Sequence, residues 1–226
     1  MKLINFALIL FSIALVQAKL VMIIRHGEKI NDDYTDLSPK GKARAHCLVN
    51  VFGNNGTYAT PQKIYAQNPT EKKQSTRPKD TVEPLAESLG LQVDLSYTSG
   101  QIKKLTSAIM SSADEVTLIS WNNDKIPEIA EKFGITNPPD WKSKVFDDIW
   151  MIYDSATTSY LKNSLTKRNV YPGTSGYTME IVEQNINDCI AANAKNFQSS
   201  SSDATRLTSG LIMAIVSLII CIIINF

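Results

Sequence analysis

The stretch Lys19-Leu20-Val21-Met22-Ile23-Ile24-Arg25-His26-Gly27-Glu28-Lys29 decides the fold. Its apolar part, residues 20–24, is short and partly β-branched, and it ends abruptly at charged residues and a glycine, which is typical of a buried strand. In an open α/β sheet, ligands bind beyond the carboxyl ends of the strands. We therefore predict that Arg25 and His26 lie at that edge, and that Gly27 lets the backbone approach a ligand closely.

The two side chains at this strand end suit phosphate chemistry. A neutral imidazole such as that of His26 can attack phosphorus as a nucleophile. The planar guanidinium of Arg25 can bind two phosphate oxygens at once. The alternative is a partly buried histidine with a purely structural hydrogen bond, which is the commoner role for a single histidine. The other histidine, His46, falls on a predicted helix and is interpreted as structural.

Predicted strands and helices alternate along the chain, which indicates an α/β fold: a three-layer α/β/α sandwich with a mainly parallel central sheet. Ser38 and Pro39 are suited to the N-cap and first position of a helix that runs to about Phe52. Thr178 is the predicted cap of a last helix, from Met179 to about Phe197. The predicted strands cover residues 20–24, 63–66, 91–95, 116–120 and, as the final strand, 146–153.

The strand followed by Arg25-His26-Gly27 resembles the signature of the histidine phosphatase superfamily, also called phosphoglycerate mutase-like. Arg77 lies four residues before Thr81, as does the second arginine of that family, in a loop before a Thr-led helix. With a Phe-Asp-x-x-Trp stretch from Phe146, the resemblance spans residues 19–153. It implies hydrolysis of phosphomonoesters through a phosphohistidine at His26, with Arg25 and Arg77 holding phosphate oxygens.

The chain departs from this family where the second histidine is expected, because Asn123 occupies that position. An amide carries no charge, and losing a charged donor to a developing anion typically lowers the rate by ~10²–10³. The protein is therefore a weakened phosphatase or a catalytically inactive surface protein that binds a ligand or acts as a scaffold. Asp124 is a candidate proton donor to the leaving group, or else the N-cap of the following helix.

Both ends of the chain resemble targeting segments. Residues 1–18 have the charged start, apolar core and small-residue end of a signal peptide. The domain would occupy residues 19–198, followed by a Ser-rich stalk at 199–209 and an apolar tail at 210–226. Such an ending is typical of a GPI-attachment signal, with Ser200 as the candidate attachment residue. We expect an extracellular, GPI-anchored protein; tail-anchored insertion is the alternative.

The cysteines, the glycosylation sequon and the net charge restrict which partners and which chemistry we expect. In an oxidising compartment Cys47 and Cys189 are expected to form a disulfide, although two buried thiols remain an alternative. Asn55 begins the one usable glycosylation sequon, Asn-Gly-Thr. The net charge of +1 gives no electrostatic reason for nucleic-acid binding. No metal-ligand spacing is present, so we expect no cofactor. The expected ligand is a phosphorylated small molecule or another anion. The protein is expected to be a monomer.

Overall fold

The computed structural model describes residues 19–31, 33–154, 170–174 and 176–198. Within these ranges there are seven strands: β1 (Leu20–Arg25), β2 (Lys63–Ala66), β3 (Val93–Asp94), β4 (Val116–Trp121), β5 (Asp148–Asp154), β6 (Val170–Pro172) and β7 (Tyr177–Glu183). They form one sheet in the order β3-β2-β4-β1-β5-β7-β6.

The helices follow the strands as the alternation predicted. They are α1 (Pro39–Cys47), α2 (Val49–Phe52), α3 (Arg77–Leu89), α4 (Ile102–Ser111), α5 (Ile126–Lys132) and α6 (187–198). The predicted start of α1 is confirmed, because the Ser38 side chain accepts a hydrogen bond from the Gly41 backbone N–H (3.1 Å) and Pro39 is the first helical residue. No helix among the described residues is long and apolar enough to cross a membrane.

The sheet is mixed, and its two halves differ in direction. The neighbouring strands β3, β2, β4 and β1 run parallel, with Leu20 opposite Val116 and Arg25 opposite Trp121. On the other side of β1, the pairs β1–β5, β5–β7 and β7–β6 are antiparallel. The carboxyl ends of β2, β4 and β1 therefore meet at one edge of the sheet, which is where an α/β fold places a ligand.

Alternate residues of β1 belong to two separate apolar cores. Leu20, Met22 and Ile24 pack in the core that contains residues of α1, α2, α3 and α6. Val21 and Ile23 pack in a second core with residues of α4 and α5. Because successive strand residues point to opposite faces of a sheet, both faces are covered by helices. The predicted three-layer α/β/α sandwich is confirmed.

The carboxyl-terminal part of the domain corrects two predictions. The predicted helix from Met179 begins only at residue 187, because residues 177–183 form β7 and Thr178 lies inside that strand. The strand near residues 146–153 is consequently followed by two more strands. Met179 and Val182 have a helical spacing of three, but each packs in a different core. In a strand, that spacing puts them on opposite faces, and both faces of this sheet are buried.

Two helices differ from their predicted bounds. The helix predicted to run from Pro39 to Phe52 is divided into α1 and α2 at Leu48. Arg77 does not lie in a loop before α3 but is its first residue, with Pro78 next. Pro84 lies inside α3. The helix ends at Gly90, which has the left-handed φ of 67° that is common for a glycine at this position.

The predicted disulfide between Cys47 and Cys189 is present, with the two Cα atoms 6.0 Å apart. It joins the end of α1 to α6, so it connects two helices on the same face of the sheet. The two cysteines are 142 residues apart in sequence. The link thus closes most of the domain into one covalent loop.

Candidate active site

The candidate site lies where β1, β4 and α3 meet. Directly after β1, the His26 backbone N–H donates to the carbonyl oxygen of Trp121, the last residue of β4 (3.1 Å). The Gly27 backbone N–H donates to Oγ1 of Thr81 (2.8 Å), and that hydroxyl donates to the Arg77 carbonyl (2.7 Å). These bonds bring the first turn of α3 beside the Arg25-His26-Gly27 turn.

His26 has its imidazole buried and its tautomer defined. Only 4% of the residue is exposed, and Nδ1 lies 2.7 Å from the Gly27 carbonyl oxygen. Since a carbonyl can only accept, Nδ1 carries the hydrogen and Nε2 keeps a lone pair. Burial lowers the pKa of His26 to about 4; the bond to Gly27 opposes this, and the charges of Arg25 and Arg77 reinforce it. At neutral pH the ring is therefore an uncharged potential nucleophile.

Arg25 is held by the segment that precedes β5. Its Nη1 donates to the carbonyl oxygens of Ser143 (2.6 Å) and Val145 (3.2 Å), and its Cζ lies 3.9 Å from the centre of the Phe146 ring. Burial lowers the pKa of Arg25 to about 10, partly opposed by the carboxylate of Glu28 and reinforced by the positive charge of Arg77. The guanidinium thus stays charged at neutral pH.

Arg77 completes the positive cluster from the first turn of α3. Its Nη1 donates to the carbonyl oxygen of Tyr34 (2.9 Å), which ties the loop before α1 to the site. The charge of Arg77 lowers the pKa values of both His26 and Arg25. Arg25, His26 and Arg77 are therefore close together, and two cations beside a neutral imidazole form a site suited to an anion.

Asn123 and Asp124 belong to a short 3₁₀ turn, Asn123–Lys125, immediately after β4. Asn123 is half-buried and lies two residues after Trp121, whose carbonyl bonds to His26. Asp124 is exposed, and neither side chain hydrogen-bonds to His26 or Arg25 among the described residues. The N-cap prediction for Asp124 is wrong, because Lys125 occupies the cap position of α5 without a side-chain bond.

The role predicted for Gly27, close backbone approach to a ligand, has a different explanation in the structure. A Cβ added there would lie 3.1 Å from the Gly41 carbonyl oxygen and 3.2 Å from Cδ2 of Leu37. A Cβ on Gly41 would in turn lie 2.9 Å from the backbone nitrogen of Glu28. The two glycines therefore allow the start of α1 to pack directly on the His26 turn.

Sequence reasoning missed a buried ionic network that adjoins the site. Arg44 is 2% exposed; its Nε and Nη2 donate to the two Glu28 carboxylate oxygens (2.9 and 2.8 Å). Its Nη1 donates to Asp147 Oδ1 (2.5 Å) and Gln184 Oε1 (2.7 Å). Burial alone would raise the pKa of Glu28, but the bond and charge of Arg44 lower it below its usual value.

A sequence signal for this network did exist. Arg44 lies three residues after Gly41 and four before Leu48, so it shares the buried face of α1 with them. A charged residue on a buried helix face needs a partner. Its main partner, Glu28, is part of the stretch that decided the fold, but the pairing joins residues 16 positions apart across a loop.

The described residues contain no group of three or more His, Cys, Asp or Glu side chains that could hold a metal ion.

No protein family and no curated protein matches this sequence. Among solved structures, the chain is similar to a putative phosphohistidine phosphatase SixA from Nakamurella multipartitia. That likeness has 12% sequence identity and a TM-score of 0.41, and it covers 61% of this chain and 85% of the other.

Proposed function

We propose that this protein hydrolyses phosphomonoesters through a phosphohistidine intermediate, as a member of the histidine phosphatase superfamily. The observation that carries the proposal is the state of His26: a buried imidazole with Nδ1 bonded to the Gly27 carbonyl, next to Arg25 and Arg77. This arrangement leaves the Nε2 lone pair available and supplies positive charge for a phosphate dianion. The substrate class is a phosphorylated small molecule.

The reaction has two steps. In the first, Nε2 of His26 attacks phosphorus, the phosphorus–oxygen bond of the ester breaks, and the leaving alkoxide takes a proton from Asp124 or from water. In the second, water attacks the phosphoryl group and returns a proton to Asp124 or to solvent, the nitrogen–phosphorus bond breaks, and phosphate leaves while the neutral imidazole is regenerated. Arg25 and Arg77 hold the phosphoryl oxygens throughout, and they stabilise the charge that develops on them.

Asn123 sets the expected rate. Its position after β4 would bring a side-chain amide to the pocket where the family has a second histidine. An amide donates a hydrogen bond without a charge, so we expect turnover ~10²–10³ slower than with a charged donor. Asparagine at this position also favours the second candidate function: a surface protein that binds an anionic ligand at this site, or acts as a scaffold, without turnover.

We further propose that the protein is a monomer on the outer cell surface, with a signal peptide at residues 1–18 and a GPI anchor at Ser200. The Cys47–Cys189 disulfide supports an oxidising compartment. Asn55 is exposed in the turn after α2, which suits a glycan acceptor. Release of the protein from intact cells by a GPI-specific phospholipase would test the anchor, and loss of release in Ser200→Val would support the attachment site.

The test of the enzymatic proposal is phosphomonoesterase activity of the purified protein beside three variants. His26→Ala should abolish turnover, and Asn123→His should raise it ~10²-fold or more. His46→Ala is the matched control, because it removes the other histidine, which is exposed. Activity that appears only in Asn123→His supports the binding function for the native chain. Activity that survives in His26→Ala excludes a phosphohistidine at this residue.

A further inference from the structure

We propose that Phe146 is a positioning residue that orients both Arg25 and His26 for the phosphoryl group; the proposal rests on the function proposed above. The centre of its ring lies 3.9 Å from Cζ of Arg25, so the guanidinium lies over the aromatic face. The same ring meets the imidazole of His26 edge-on, with the ring centres 6.5 Å apart and the planes at 66°. Phe146 is the aromatic ring common to both groups.

The contact with Arg25 leaves its hydrogen-bonding edge available. The aromatic ring covers one face of the guanidinium, and Nη1 donates to the carbonyls of Ser143 and Val145. The buried Nε of Arg25 has no hydrogen-bond partner among the described residues. A buried donor without a partner is costly, so this atom is suited to an oxygen of the bound phosphoryl group. An aromatic ring holds a guanidinium through its face, so the guanidinium keeps all of its N–H donors for other partners.

The contact with His26 keeps water away from the imidazole. Burial is the largest cause of the low pKa of His26, and the Phe146 ring supplies part of that burial. The ring therefore does two things at once: it places the cation that binds phosphate, and it keeps the nucleophile uncharged.

Phe146 is itself held from both sides. Its carbonyl accepts from Gln184 Nε2 (3.0 Å), and the next carbonyl, that of Asp147, accepts from the Gln184 backbone N–H (2.8 Å). The Asp147 carboxylate binds Arg44, and the Val145 carbonyl also accepts from Nε1 of Trp141 (2.9 Å). The segment 141–147 is thus fixed to α1 and to the end of β7. Because the backbone is held, the Phe146 ring would have to rotate to lose its contact with Arg25 or with His26.

The test compares Phe146→Leu and Phe146→Tyr with Phe197→Leu. Phe197 is the matched control, because its ring meets the only other histidine, His46, at the same 6.5 Å and a similar angle of 62°. Three quantities are measured: the pKa of each histidine by NMR, the Kd for inorganic phosphate, and kcat and KM for an aryl phosphate.

We expect Phe146→Leu to raise the pKa of His26 from about 4 towards the usual value near 6.5. Phosphate binding should weaken about tenfold and kcat should fall, because Arg25 loses its support. Phe146→Tyr keeps the aromatic face and should retain native values. Phe197→Leu should leave phosphate binding and the pKa of His26 unchanged. A folded Phe146→Leu with the native pKa and phosphate affinity overturns the proposal.

The proposal can still be tested if Phe146→Leu does not fold. In the native protein, the ring current of Phe146 must shift the NMR signals of the Arg25 side-chain protons upfield. Unshifted Arg25 protons would overturn the proposal. The pKa of His26 and these shifts do not depend on turnover. A native protein that neither binds phosphate nor hydrolyses esters would refute the proposed function, while the NMR measurements would still decide whether Phe146 positions Arg25 and His26.

Discussion

His26 contributes to stability in a pH-dependent way because it is buried in its neutral form. Its pKa is about 4 in the folded protein and near 6.5 in an unfolded chain. Between these values the unfolded chain binds a proton that the folded state does not, so stability falls as pH falls. We expect the native protein to lose about 2 kcal/mol from this group between pH 7 and pH 5, measured by urea unfolding.

The variants His26→Gln and His46→Gln separate this contribution from the other titrating groups. His26→Gln should lose less stability over that pH range than the native chain, whereas His46→Gln should retain the loss that His26 contributes. Equal losses in the native protein and in His26→Gln would show that the imidazole of His26 is already protonated, or is exposed, in the folded state.

Gly41 is a second single residue whose replacement should change the stability of the protein. An added methyl group would press on the backbone of Glu28, directly beside the His26 turn. We expect Gly41→Ala to destabilise the protein by about 1–3 kcal/mol, because neither backbone segment can move easily. Gly100→Ala is the control, since its Cβ would meet nothing within 4 Å, and it should be neutral or slightly stabilising. Thermal unfolding of the two variants compares them directly.

At the scale of elements, the buried network of Arg44 connects α1, the segment before β5 and the end of β7. We expect Arg44→Met to cost about 3–5 kcal/mol, because it leaves the buried carboxylate of Glu28 without its main partner. Lys42→Met, on the exposed side of the same helix, should change stability by less than about 0.5 kcal/mol.

A double-mutant cycle identifies the cause of that loss. Removing both charges, in Glu28→Met with Arg44→Met, should destabilise the protein by less than the sum of the two single changes, because the buried carboxylate of Glu28 is removed together with its main partner. Strict additivity in denaturant unfolding would mean that the pair contributes through packing and not through its charges.

At the scale of the whole molecule, the disulfide between α1 and α6 constrains the unfolded chain. We expect Cys47→Ser with Cys189→Ser to lose about 2–5 kcal/mol, or about 5–15 °C in Tm, because the crosslink closes a long loop. Reduction with a thiol should lower the Tm of the native protein similarly and leave the double variant unchanged. A reductant that has no effect on the native protein would indicate that the bond is not formed in solution.

Much of the fold followed from local patterns. The apolar runs at β1, β2 and β4 have the composition and the bounds of buried strands, and Ser38-Pro39 starts α1 through local hydrogen bonding and a fixed φ. The elements of the carboxyl-terminal region could not be predicted from local patterns. The spacing of Met179 and Val182 suits a helix and also suits a strand buried on both faces, and only the presence of helices on both faces of the sheet distinguishes the two.

The chemistry available to this protein could be predicted from its residues alone: one imidazole at a strand end, two arginines, and an asparagine after β4 where the family resemblance predicts a histidine. These features depend only on the types of residue present and on their order over short stretches of the chain. Only the tertiary structure decided how the groups are held. The Phe146 face on Arg25, the Arg44 network and the tight packing of Gly41 on Glu28 all join segments distant in the chain. Which residues become partners in these contacts depends on the docking of elements, and no local pattern encodes that choice.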